Sequence, residues 1–106
     1  WTQARCVEVQ TAAGDLDGAI AWRIDRRDCA GAAAPFYDVS VGARGHALAT
    51  AATSRGAPVP LDVRRIGPDR ISVTLDRPWR GETVAVIRLR RTGGPAERLD
   101  LSEPAP

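Results

Sequence analysis

The sequence predicts an all-β domain: a seven- or eight-stranded antiparallel β-sandwich, immunoglobulin-like in architecture with its topology unassigned, or alternatively a small barrel. Three observations carry this reading. Apolar residues recur at every second position in short runs, the period of a strand with one buried face. Gly-, Pro- and Asp-rich turns separate the runs. No segment of useful length carries the three-to-four spacing of an amphipathic helix. The 106 residues and 11.3 kDa suit one domain with one core. Residues 1–101 are assigned to it, and 102–106, rich in Pro and Ala, to a C-terminal tail or linker start.

The first strand is expected over Ala4–Thr11, where Val7 and Val9 alternate with Cys6 and Glu8, followed by turn chemistry over Ala12–Asp17. Gly18–Asp25 places Ile20, Trp22 and Ile24 on one face, and Arg26–Ala34 reads as a connection. Phe36–Val41 turns Tyr37, Val39 and Val41 inward, with Gly42–Gly45 as the next turn. His46–Thr53 is alanine-rich, which favours helix, but it is short and lies between glycine-rich turns, so it is read as a strand. After a turn over Ser54–Pro58, Val59–Ile66 is expected to face Val59, Leu61 and Val63 inward, with Pro60 marking an edge or a strand start. Beyond the Gly67-Pro68-Asp69 turn, Ile71, Val73 and Leu75 alternate with Ser72, Thr74 and Asp76. Arg77–Glu82 reads as a wide connection, Thr83–Arg91 as the longest strand, and Ala96–Leu101 as a short last one through Leu99 and Leu101.

Fifteen basic residues against 13 acidic leave a net charge of +2, too little to imply nucleic acid by itself. The few aromatics give single-stranded nucleic acid no stacking platform. All the basic residues are Arg, and Lys, Asn and Met are absent. A recognition requirement would favour Arg at a few sites; removing Lys everywhere is the mark of a GC-rich, bacterial coding sequence. The 43% hydrophobic content argues against disorder, and no apolar run is long enough to form a transmembrane segment.

Cys6 and Cys29 are the only cysteines, and their spacing fits no metal motif. A disulfide between them is expected, either pinning the first strand beside the second or crossing between sheets. It implies an extracytoplasmic setting: periplasm, cell surface or medium. A chain that begins at Trp1 without Met is read as mature or trimmed.

Chemistry-bearing motifs are sparse. His46 is the single histidine, with no nucleophile elbow or cysteine beside it in sequence. The acidic residues Asp15, Asp17, Asp25 and Asp28 lack the alternating oxygen ligands and closing Glu of an EF-hand loop. Without Lys there is no Walker sequence, and the glycines lack a βαβ setting. No catalytic residue, metal site or cofactor is assigned. The binding candidates are Arg77, Trp79 and Arg80, where an aromatic is flanked by guanidinium groups, and Arg88 and Arg90, which share a strand face with Val84 and Val86. With Arg64 and Arg70 on neighbouring strands these would form a basic stripe.

The expected function is therefore protein–protein recognition or assembly in an envelope or secreted protein, without catalysis. The alternatives are a carbohydrate-binding module using the Trp79 loop on an acidic or neutral polysaccharide, inhibition of an exported enzyme by that loop, and a small carboxylate-dependent hydrolase.

Overall fold

The alternating runs become eight strands. The computed structural model describes residues 5–102, in the order β1 (Cys6–Leu16), β2 (Ile20–Cys29), β3 (Phe36–Ala43), β4 (Ala49–Arg55), β5 (Pro60–Gly67), β6 (Arg70–Trp79), β7 (Glu82–Arg88) and β8 (Leu99–Asp100). They form two packed sheets in a sandwich-like arrangement, one of five strands in the order β1-β2-β3-β4-β8 and one of three in the order β5-β6-β7. Neighbours are antiparallel except β4 and β8, which pair in parallel. Trp1 and residues 103–106 of the expected tail lie outside the described residues.

Register explains the core. In the larger sheet, Ala12, Ile24, Val39, Ala52 and Leu99 stand opposite one another across all five strands. The neighbouring inward row is Gly14, Trp22 and Val41, and Ala49 at its β4 end is exposed. The smaller sheet answers with Val63, Val73 and Ala85, and with Ile71 beside Ile87. Ile24, Val39, Val41, Ile71, Val73 and Ile87 are fully or almost fully buried in one cluster. Gly14 suits this packing: a Cβ there would lie 3.0 Å from the Trp22 ring, so any side chain would force the indole to shift. The sequence places a residue without a side chain where the largest side chain crosses the edge strand.

Several expected boundaries move. The turn predicted over Ala12–Asp17 is strand as far as Leu16, because β2 extends far enough to pair with it. The turn itself is Asp17-Gly18, both at positive φ (52° and 71°), which suits a tight hairpin. The connection predicted from Arg26 begins later, since β2 runs on to Cys29. β4 is shifted, starting at Ala49 and taking in Ser54 and Arg55 from the predicted turn. β7 ends at Arg88 with seven residues, so the longest strand is β1 with eleven. Leu61 does not face inward: a bulge between Pro60 and Asp62 breaks the two-residue period, burying Pro60 and leaving Leu61 exposed.

Cys6 and Cys29 are bonded and are direct register partners, so the disulfide lies within one sheet, at the open end of the β1–β2 hairpin. Of the two arrangements anticipated this is the first, with Cys29 inside β2. Beyond Arg27 the second strand has no β3 partner, and the bond holds a stretch whose pairing is with β1 alone.

The disulfide and one buried hydroxyl lead to outcomes of opposite sign. Replacing both cysteines by Ser lowers stability by about 3 kcal/mol on the loop-entropy argument for a separation of 23 residues, read as a drop in the urea midpoint. Ser54 is fully buried, with no hydrogen-bond partner for its Oγ among the described residues. Ser54→Ala removes a desolvated hydroxyl and raises stability by about 1 kcal/mol in the same assay.

Candidate functional site

The residues singled out from sequence fall at the two ends of β7. Trp79 and Glu82 are register partners, so Arg80-Gly81 is a two-residue hairpin turn rather than a wide connection. Both turn residues have positive φ, 52° and 81°, the pattern that matches the right-handed twist of the flanking strands. Upstream, β6 leaves β7 and leans toward β5: the Asp76 amide donates to the Val59 carbonyl (3.0 Å), and the Val59 amide donates to Asp76 Oδ1 (2.7 Å).

That detour turns Trp79 onto the sandwich. The side chain is half-buried against the core, its Nε1 is buried without a hydrogen-bond partner among the described residues, and the Arg80 guanidinium lies 4.6 Å from the ring centroid. Arg77 reaches back to Asp76 at 3.8 Å. The indole therefore packs one way on the core and the other way on Arg80.

Arg88 stands about 20 Å along the strand from Glu82, at an ordinary strand rise. It is the register partner of Arg70, so two guanidinium groups share the outer face of the smaller sheet. Val84 and Val86 lie on that face, 37% and 48% exposed, while Ala85, Ile87 and Leu89 are buried on the other, as expected. Arg70, Val86, Arg88, Glu97 and Leu99 line a groove of about 290 Å³. Arg70 has Asp69 at 3.8 Å; Arg88 has no carboxylate within 4.0 Å among the described residues. Arg90 lies past the end of β7, on a different groove with Arg65, Asp69 and Arg91. Arg64 is paired with Asp62 at 3.2 Å. The basic stripe thus reduces to Arg70 and Arg88, and the five candidates do not converge on one point.

Sequence reasoning passes over the outer face of the larger sheet. Arg27, Phe36 and Arg55 are register partners on three adjacent strands, and the two guanidinium carbons lie 4.7 and 5.2 Å from the Phe36 centroid. Phe36, Arg55, Arg98 and Asp100 line a groove of about 640 Å³. The Asp100 carboxyl is held below its ordinary pKa by the Ser102 hydroxyl (2.8 Å) and amide (3.0 Å). Only the strand pairing brings these residues together, so local sequence offers no signal for them.

The acid–base inventory is dispersed. His46 is exposed in the loop after β3. Asp25 and Asp38 are opposite one another on β2 and β3, the nearest approach to a carboxylate pair. Each is already engaged: Arg23 Nε lies 2.7 Å from Asp25, Arg27 Nε lies 3.2 Å from Asp38, and the Thr53 hydroxyl donates to Asp38 at 3.0 Å. Asp17 pairs with Arg65 and Asp28 with Arg26. Among the described residues no group of three or more His, Cys, Asp or Glu is placed to hold a metal ion.

The packing of Trp79 gives a measurable outcome. Trp79→Ala lowers folding stability by about 2 kcal/mol, as for a half-buried large side chain, measured by urea unfolding followed by circular dichroism. A ring poised only for an external ligand would leave the midpoint unchanged.

Comparison with known proteins finds no family model, no curated protein and no solved structure that matches the chain.

Proposed function

We propose that this chain is a non-catalytic recognition domain that works outside the cytoplasm and docks a protein partner along β7. The observation that carries the reading is the contrast between β7 and the other free sheet edges. An open strand edge is a template for pairing with another chain, and proteins that do not use it blunt it with prolines, bulges, charges or shortness. β5 has Pro60 and two bulges, β1 has a bulge between Gln10 and Ala12 and is tied at one end by the disulfide, and β8 has two residues. β7 has neither Pro nor Gly; the chain at Ala96 covers its edge at Arg88, and the stretch that carries the exposed Val84 and Val86 is left open. Main-chain pairing would supply affinity, and the valines and arginines would supply selectivity.

The disulfide supports the extracytoplasmic setting, since such bonds persist where thiols are oxidised. The engagement of Asp25 and Asp38 by arginines supports a role without catalysis, because a hydrolytic pair needs one free base and one protonated acid. A carbohydrate platform at Trp79 has less support, as the ring lies between the core and Arg80.

Photo-crosslinking from position 86, with sequencing of the captured protein, tests the docking edge. The expected result is a single partner that is lost when Val84 and Val86 are both replaced by Lys and kept in Trp79→Ala. Loss in Trp79→Ala with retention in the lysine variant would move the site to the hairpin end and overturn the reading.

A further inference from the structure

We propose that the turns at the end of the sandwich opposite the disulfide form a second binding site, which takes a carboxylate-bearing sugar of an acidic glycan. The site stands apart from the exposed valines of β7 and does not depend on the reading of that edge.

Four parts of the chain meet at this end. The β1–β2 turn, the end of β3, the turn between β5 and β6 and the segment 90–94 wall a groove of about 410 Å³. Loops gathered at one end of a sandwich and carried on rigid strands are a common place for such domains to hold a ligand.

Main-chain contacts fix the walls. The Arg44 amide donates to the Ala19 carbonyl (3.0 Å), and the Leu89 amide donates to the Asp69 carbonyl (2.6 Å). The segment 90–94 closes on itself: the Arg90 amide donates to the Gly94 carbonyl (2.8 Å), and the Gly93 amide to the Arg90 carbonyl (2.9 Å). It sits directly on β3. Gly93 has a φ of 81°, and a Cβ there would lie 3.1 Å from the Ala43 amide nitrogen. A groove walled by bonded backbone is formed before a ligand arrives, which lowers the ordering cost of binding.

The charge of the groove comes from arginine. Arg65 is largely buried and its guanidinium is held in place. Nε donates to the Gly67 carbonyl (3.1 Å), one terminal nitrogen donates to the Pro68 carbonyl (2.6 Å), and the other lies 3.5 Å from Asp17. Arg90 and Arg91 are exposed on the same groove, and the Arg44 guanidinium lies beside Gly18. Among the described residues none of these last three has a carboxylate within 4.0 Å. Asp17 and Asp69 are the acidic residues of these turns, so positive charge is in excess. A guanidinium fork matches a carboxylate in shape as well as in charge.

The rest of the lining selects what carries that carboxylate. Asp69 is 3.8 Å from Arg70 and lines the groove, and Thr92 adds a hydroxyl. Both can accept hydrogen bonds from hydroxyl groups, whereas a bare polyanion would be repelled at Asp69. Among the described residues no aromatic lines the groove, and its Ile20 and Leu89 are buried. A membrane anchor or an apolar peptide side chain would find little to pack on. An oxyanion beside several hydroxyls is the chemistry of a sugar acid.

Titration of the whole chain with tetragalacturonate, followed by NMR, tests the site. The expected result is saturable binding with a dissociation constant of about 1 mM or tighter. It should shift the Arg65 Nε–H and the Thr92 and Gly93 amides, and neutral maltotetraose should not bind. Arg90→Gln combined with Arg91→Gln should weaken binding at least about tenfold at low salt while leaving the urea midpoint in place. Arg55→Gln combined with Arg98→Gln makes the same change of charge in another groove and should leave binding unchanged. No saturable binding, an unchanged affinity in the Arg90 and Arg91 variant, or an equal loss in both variants overturns the proposal. Tighter binding of tetraglutamate, or of phosphatidylglycerol vesicles, overturns it as well, by assigning the groove to an acidic peptide or a bilayer.

Discussion

Two sheets of unequal width share one core, and that mismatch governs the rest of the molecule. Five strands present inward rows from Ala12 across to Leu99, but three strands answer them. Burial of apolar surface is the main favourable term in folding, and Val63, Ile71, Val73 and Ile87 of the smaller sheet share one buried cluster with Ile24, Val39 and Val41 of the larger. What lies beyond its reach must be held otherwise. Val7 and Val9 on β1 remain exposed, and here the disulfide substitutes a covalent tie for the packing the strand lacks. The bond lies at the open end of the hairpin, beside the exposed Val7 and Val9.

The same mismatch decides which edges stay open. A sandwich of open sheets has free edge strands, and a domain must shield each one or use it. Bulges serve both folding and shielding here. The one at Pro60 breaks the ladder of β5 while burying the proline ring, and the one between Gln10 and Ala12 shifts the phase of β1 so that Ala12 and Gly14 face inward opposite Ile24 and Trp22. The irregularity between β6 and β7 lies on the inner side of β7, where it aims Trp79 at the core and leaves the outer side regular. The local defects of the fold therefore spare the strand edge that carries the exposed valines.

Periodicity alone makes the inward faces legible. Ile20, Trp22 and Ile24, Tyr37, Val39 and Val41, and Ile71, Val73 and Leu75 are all buried as their alternation requires. Boundaries are less legible because turn-forming residues also occur inside strands: Gly14 reads as a turn in isolation, yet it lies in β1 where a Cβ would crowd the Trp22 ring at 3.0 Å. Leu61 escapes the pattern because a bulge is a one-residue change of phase with no marker beyond a proline. The Arg77–Gly81 segment is legible as an aromatic between arginines, but whether the indole faces solvent or core depends on how β6 bends toward β5. The Arg27–Phe36–Arg55 ladder is invisible in sequence, since its members come from three strands and meet only through register.

An Arg-only composition conceals function because it makes each arginine look alike. Placement separates them. Arg23, Arg26, Arg27 and Arg64 each bring Nε within 3.2 Å of an aspartate on the same or the next strand, and their charges are already answered within the sheet. Exposed pairs of this kind contribute little to stability, so they are best understood as neutralising a surface whose basic residues were set by composition. Arg5, Arg44, Arg55, Arg90, Arg91 and Arg98 pair with no carboxylate among the described residues, and neither does Arg88, which differs from them in its neighbours. Arg70 stands beside it as a second positive charge. What sets Arg88 apart is therefore its setting, beside a second guanidinium and two exposed valines on one sheet face. Position in the sheets, more than number, distinguishes one arginine of this chain from another.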